Sequence, residues 1–272
     1  MTDASSPIAN NASAVGSVRP GDSYVQSFAR GLAVLRSFGA NAPAQTLSDV
    51  AQNTGLTRAG ARRILLTLLA LGYVSSEGRL FRLTPKVLEL GFAYLTSLPV
   101  WTRAQPVMEA LVEQLRQSSS AAVLDGDEVV YVLRVPAHKI MSINLGVGSR
   151  LPAHCSSMGR VLLAALPDDV LKARLAQMTL TAYTPRTVVD RDELYETLLQ
   201  VRAQGWSLVR EELEPGLVSM AAPIRDMSGK VVAAINVSGS ADKADAHYLL
   251  EVCLPRLLAA AARINMLLGA AQ

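Results

Sequence analysis

The chain has 272 residues, 50% hydrophobic and 18% charged, with a formal net charge of +3. This excludes wholesale disorder, which needs low hydrophobicity and high net charge, and the length suits one or two domains. Charge-free apolar runs such as Ile64 to Ser76 fall short of the roughly 20 residues of a membrane helix. Two cysteines, Cys155 and Cys253, make no disulfide framework, so a reducing cytoplasm is expected.

Residues 1–22 are mostly Ala, Ser, Asn, Pro and Gly, too poor in large apolar groups to bury a core, and are expected to be a disordered tail. No apolar run precedes Arg19, so no secretory signal is expected. From Tyr24 to Phe38 the residues Val25, Phe28, Leu32 and Leu35 recur at the spacing of an amphipathic helix. Thr46, with Asp49 three residues on, predicts a capped short helix, and Asn53-Thr54-Gly55 a tight turn after it. Thr57 predicts the cap of a third helix, with Ala61, Ile64, Leu65, Leu68 and Leu71 on one face. Two short strands, Tyr73 to Ser75 and Leu80 to Leu83, are joined by Ser76-Glu77-Gly78-Arg79, where Gly78 suits a hairpin turn.

Residues 23–84 thus form one module. Pro85 suits the first turn of a linker helix over residues 85–98, with Leu88, Phe92 and Leu95 as an apolar stripe. Residues 99–272 open with a helix from about Trp101 to Gln117. Strands are predicted at Ala121 to Leu124, Val129 to Val135 and Ile140 to Leu145, with Asp125-Gly126-Asp127 turning between the first two. Helices follow at Ser156 to Leu166, Asp168 to Gln177 and Asp190 to Gln204. Strands at Trp206 to Glu211, Ser219 to Arg225 and Val231 to Ser238 precede a closing helix from Asp242 to Leu268. Strand runs with segregated helices indicate an α+β fold with an antiparallel sheet.

Helix, short helix, tight turn, helix and β-hairpin make a winged helix-turn-helix. One helix fits the major groove while its neighbour braces it across the backbone. With the apolar face inward, Thr57, Arg58, Ala59 and Arg62 face outward at the start of the third helix, and Arg63 lies beside them, free for DNA or held in an internal ion pair. Arginine there suits guanine O6 and N7, while Thr57 and the helix N-terminus suit phosphate. Arg79 and Arg82 lie in the hairpin, where a wing touches the DNA backbone or minor groove. Charge agrees: residues 1–98 carry nine Lys/Arg against five Asp/Glu, residues 99–272 seventeen against eighteen. A solvated helical domain whose exposed arginines bind nothing is the blander alternative.

In the second domain, Cys155, Ser156 and Ser157 begin a helix, where free N–H groups and the helix dipole attract an anion. Arg160 adds charge nearby, and plain N-capping by Ser156 is the competing explanation. His154 beside Cys155 invites a cysteine-nucleophile reading, but adjacent residues on an extended segment point to opposite faces. His138 and His247 have no catalytic or metal spacing. No phosphate-loop, dinucleotide or zinc motif is present, so neither cofactor nor metal is expected.

Three segments carry a family resemblance. Leu56-Thr57-Arg58-Ala59-Gly60-Ala61-Arg62-Arg63-Ile64 with Leu71-Gly72-Tyr73-Val74 resembles the recognition helix of IclR-family transcription regulators. Leu151-Pro152-Ala153-His154-Cys155-Ser156-Ser157-Met158-Gly159-Arg160 resembles their effector-domain signature. Glu211-Glu212-Leu213-Glu214-Pro215-Gly216-Leu217 and Ala233-Ala234-Ile235-Asn236-Val237-Ser238-Gly239 complete the likeness, over roughly residues 24–268. The resemblance implies a GAF-like C-terminal domain with an effector pocket. It adds Leu145, Gly146, Leu217, Ser219, Asn236 and Ser238 to Cys155, Ser156 and Ser157, with Asn236 standing where some relatives carry serine. Details of the first two segments resemble the branch controlling protocatechuate, 4-hydroxybenzoate and β-ketoadipate catabolism.

The chain thus reads as a non-enzymatic regulator binding an operator in double-stranded DNA and a small carboxylic acid, working as a homodimer or dimer of dimers. A sensory or scaffolding protein whose winged helix binds another protein is the alternative, and a cysteine hydrolase a third.

Overall fold

A computed structural model describes residues 24–39, 41–96, 100–137, 145–243, 245 and 247–269. The expected tail, and residues 140–144 of the strand expected at Ile140 to Leu145, lie outside these. The chain divides into two compact units between Leu90 and Gly91.

The first unit runs α1 (Gln26–Arg36), β1 (Gln45–Thr46), α2 (Leu47–Thr54), α3 (Arg58–Ala70), β2 (Val74–Glu77) and β3 (Leu80–Leu83). Thr46 and Asp49 close a capping box: Asp49 Oδ2 accepts from Thr46 N–H at 2.8 Å, and Thr46 Oγ1 from Asp49 N–H at 3.3 Å. Gly55, in the left-handed region at φ 66, ends α2, and Thr57 Oγ1 caps α3 by accepting from Gly60 N–H. Val34, Val50, Ala51, Ala61, Leu65, Leu68 and Val74 are buried together as the core. Gln45 is buried among them with its amide satisfied: Nε2 donates to Ser37 O, and Oε1 accepts from Asn53 Nδ2. The hairpin is longer than expected. Glu77 pairs with Leu80, so the loop shrinks to Gly78-Arg79, with positive φ at the first position as a two-residue hairpin favours.

A 3₁₀ turn at Pro85–Val87 leads into α4 (Leu88–Thr96), so the expected linker helix starts later, and the unit boundary falls within it. In the second unit, α5 (Val100–Leu115) precedes β4 (Ser118–Asp125), β5 (Glu128–Val135), β6 (Arg150–Pro152), α6 (Ser157–Ala164), α7 (Asp168–Gln177) and α8 (Arg191–Gln204). β7 (Ser207–Arg210), β8 (Leu217–Arg225), β9 (Val231–Ser240) and α9 (Leu254–Gly269) complete it. Among the described residues the sheet is antiparallel in the order β6-β5-β4-β9-β8-β7. β6, Arg150-Leu151-Pro152, is too short to show a strand's alternation in the sequence. β4 begins three residues before the strand expected at Ala121, because the buried hydroxyls of Ser118, Ser119 and Ser120 find partners.

Helices cover both faces of this sheet. Ala121, Val218, Met220, Ile224, Ile235 and Val237 pack with α5 and α9. Ala122, Ala221 and Ala234 face the other way, with α6, α7 and α8. Small alanines let α6 sit close, and every residue of α6 is buried. Gly159 is required there, since a Cβ would lie 2.2 Å from the Ala153 carbonyl oxygen. The closing helix is not uniform: a π-helical stretch, Tyr248–Cys253, precedes α9. Pro255 in the first turn of α9 has no N–H to bond back, which explains the irregular pattern before it. The run Tyr248–Gly269 is long and apolar enough to cross a membrane by length and composition, yet Leu249, Cys253, Leu257 and Ile264 on it are buried in the sheet core.

Candidate functional site

On α3 the buried stripe Ala61, Leu65 and Leu68 leaves Thr57, Arg58, Ala59, Arg62 and Arg63 exposed. Arg58 and Arg62 are one helical turn apart and share a side. Arg79 and Arg82 are exposed on the hairpin. None of these five arginines forms an ion pair with a described residue, so Arg63 has no such internal partner. The capped N-terminus of α3 and five uncommitted guanidinium groups are thus available to a polyanion.

The second unit holds a cavity of ≈ 580 Å³, its opening to solvent included. Of the expected residues, Leu145, Cys155, Ser156 and Ser157 line it from the loop before β6 and the start of α6. Leu217, Ser219, Asn236 and Ser238 line it from β8 and β9. Gly146 does not. Its N–H donates to Ser149 Oγ at 2.9 Å and its carbonyl accepts from Ser149 N–H, closing an exposed turn away from the wall.

The polar part of the wall is a connected network. Ser157 Oγ lies 2.7 Å from Ser219 Oγ, which accepts from Asn236 Nδ2 at 2.9 Å. Asn236 Oδ1 accepts the Ser120 N–H at 2.9 Å. Ser156 Oγ caps α6 by accepting from Gly159 N–H. The N–H groups of Ser157 and Met158, in the first turn, have no acceptor within the helix and add partial positive charge.

Arg160 does not add its charge to the cavity. The residue is 3% exposed, its guanidinium donates to Glu212 Oε2 at 2.6 Å and to His154 O at 2.9 Å, and it is no part of the wall. Glu212 lines the cavity and also accepts from Val188 N–H. Neighbouring Glu211, held at φ 58, pairs with Arg186 at 3.0 Å and accepts from Gly216 N–H. Residues the sequence reading missed here are Tyr131 and Arg134 on β5, with Glu211, Glu212 and Leu213 between β7 and β8.

Burial pushes the Cys155 thiol up to about 12, and the Glu212 carboxylate adds to the shift. Burial also lowers the His154 pKa, against a hydrogen bond between Nε2 and Thr181 O that raises it. His154 is not on the wall, so among the described residues no cysteine–histidine pair faces the cavity. A thiol this hard to ionise is a poor nucleophile at neutral pH.

Residues 27–78 match the IclR helix-turn-helix domain, and residues 92–266 match the bacterial transcriptional regulator IclR C-terminal domain. The Pca regulon regulatory protein of Pseudomonas putida is 44% identical over 238 residues, covering 87% of this chain and 82% of that protein. The p-hydroxybenzoate hydroxylase transcriptional activator of Acinetobacter baylyi is 35% identical, covering 87% and 89%. A crystal structure of an IclR homolog from Microbacterium hydrocarbonoxydans complexed with 4-hydroxybenzoate superposes with TM-score 0.80 at 28% identity, over 90% of this chain and all of that one. With both domain models matched in order, and relatives aligned along most of its length, the chain belongs to the IclR family of bacterial transcriptional regulators.

Proposed function

We propose that this regulator reads its operator with α3 and the hairpin, and that a small aromatic or dicarboxylic acid in the cavity controls it. Five exposed arginines that pair with no described carboxylate, gathered on one helix N-terminus and one hairpin, carry the first half. Arg58 and Arg62 take base edges, with Thr57, Ala59 and Arg63 beside them, while Arg79 and Arg82 take phosphates or the minor groove. The second half is supported by the cavity's mixture of apolar wall, serine and asparagine donors and helix N-terminus. Relatives named for the Pca regulon and for p-hydroxybenzoate hydroxylase, and a neighbour holding 4-hydroxybenzoate, favour an acid of aromatic catabolism. The module boundaries are taken as 23–84, 85–98 and 99–272, and the cytoplasm as the site of action.

One winged helix contacts only a few bases, so two-fold pairing is needed for a specific operator. Leu88 (73% exposed) and Phe92 (65%) on α4 present an apolar face suited to it. Sedimentation is expected to show at least a dimer, weakened by Leu88→Asp with Phe92→Asp. A footprint on the promoter beside the gene should show inverted half-sites, and a gel shift should respond to 4-hydroxybenzoate, protocatechuate or β-ketoadipate. By linkage, operator DNA must change acid affinity by the same factor that the acid changes operator affinity. A chain that shifts no fragment of that promoter overturns the operator reading.

A further inference from the structure

Among the described residues the cavity wall carries three charged side chains, which reach it from the sheet and the β7–β8 connection, and one of the three makes no ion pair with a described residue. Glu212 is paired with Arg160 at 2.6 Å and Glu211 with Arg186 at 3.0 Å. Arg134, the one cation among the described wall residues, forms no ion pair with a described residue. Nη1 donates to Ser120 Oγ at 3.3 Å, which orients the fork and leaves other N–H donors of the guanidinium for a ligand.

Arg134 reaches the cavity because β5 is irregular. Tyr131 and Arg134 are three residues apart, and in a regular strand they point to opposite faces. Here Ala122 pairs with Tyr131 and Ala121 with Leu133, so Val132 has no opposite number. This bulge reverses the alternation, and both side chains line the cavity. The next polar residues across the sheet are Ser120 on β4 and Asn236 on β9, in register with Arg134 through Ser120.

We propose that Arg134 is the carboxylate-binding residue of the cavity, with the Ser157–Ser219–Asn236 cluster receiving the ligand's second polar group. This rests on reading the cavity as the effector site. A full, oriented guanidinium in a cavity also lined by apolar Leu145 and Leu151 holds a carboxylate more strongly than helix N–H groups alone. Ser157 Oγ shares a hydrogen bond with Ser219 Oγ, and Ser219 Oγ also accepts from Asn236 Nδ2, so this cluster is a neutral hydroxyl and amide network suited to a neutral polar group.

The test is calorimetric titration of the full chain with 4-hydroxybenzoate, protocatechuate and β-ketoadipate, each against its amide analogue. The wild type is expected to prefer the acid over its amide by about tenfold to a hundredfold, the loss of a charged hydrogen-bond pair. Arg134→Gln should collapse that ratio towards one, and Arg134→Lys, which keeps the charge without the planar fork, should retain part of it. A ratio is read within one protein, so a variant of lowered stability still reports. An undiminished ratio in both variants overturns the role of Arg134 and leaves the acid-effector reading standing. Wild type that binds none of the three acids overturns both.

Discussion

Removing Glu212 should unfold the effector unit far more readily than removing the whole ion pair. Glu212 is 7% exposed and Arg160 3%, with 2.6 Å between their charged atoms. Glu212→Ala leaves a buried guanidinium with only the His154 carbonyl, and leaves Val188 N–H without its acceptor. Breaking a buried pair from one side costs about 3–5 kcal/mol, because the remaining charge is neither solvated nor neutralised. For a unit of roughly 150–250 residues each kcal/mol lowers Tm by about 2–4 °C, so a fall of about 6–20 °C is expected. Arg160→Met combined with Glu212→Leu removes both charges and keeps apolar volume, so its cost should be well below the sum of the single changes. The assay is thermal and urea unfolding of wild type, Arg160→Met, Glu212→Leu and the double variant as a double-mutant cycle, with Glu212→Ala measured beside them. If Glu212→Ala costs under about 1 kcal/mol and the double change is additive, then the pair does not act as a buried, mutually dependent unit.

Arg58→Ala and Arg62→Ala should each weaken operator binding by about 1–3 kcal/mol and relax one base position, whereas Arg79→Ala should weaken all sequences alike and reduce the salt slope by about one. Gel shifts at two salt concentrations distinguish these, and unchanged operator affinity in both α3 variants removes that helix as the reader. Gly159→Ala places a Cβ 2.2 Å from a carbonyl oxygen and should destabilise by about 3 kcal/mol, so a melt indistinguishable from wild type contradicts the close approach of α6. Cys155 and Tyr131 are both pushed up to about 12 by burial, from ordinary values of 9.0 and 10.0. Being acids with raised folded pKa values, they release protons first from the unfolded chain. Their contribution is complete below pH 9 and is lost as pH rises towards 12, at about 1.4 kcal/mol per pH unit per group. Urea midpoints at pH 8, 9 and 10 measure this, and thiol reagents at pH 8 should leave Cys155 unmodified until the chain unfolds.

Much of the first unit was legible because its determinants are local. Thr46 with Asp49, Gly55, Thr57 and Gly78 each act within four residues, through caps and backbone conformations that short spacing reveals. The 3.6-residue recurrence of Ala61, Leu65 and Leu68 then decides which arginines of α3 face solvent. In the second unit the same local logic located α6 and its cap at Ser156, and the family likeness supplied Leu217, Ser219, Asn236 and Ser238. What it missed was set by partners distant in the chain. Arg160 lies 52 residues from the carboxylate that takes its charge, so nothing around it announces the pairing. Arg134 stands in a strand whose alternation, read residue by residue, turns it away from Tyr131. Only the pairing of β5 with β4, with one residue more on β5 than on its neighbour, brings it to the cavity. Local spacing determines the elements and their exposed faces, whereas strand register and long-range charge pairing decide which side chains share a wall, because both depend on segments that meet only after folding.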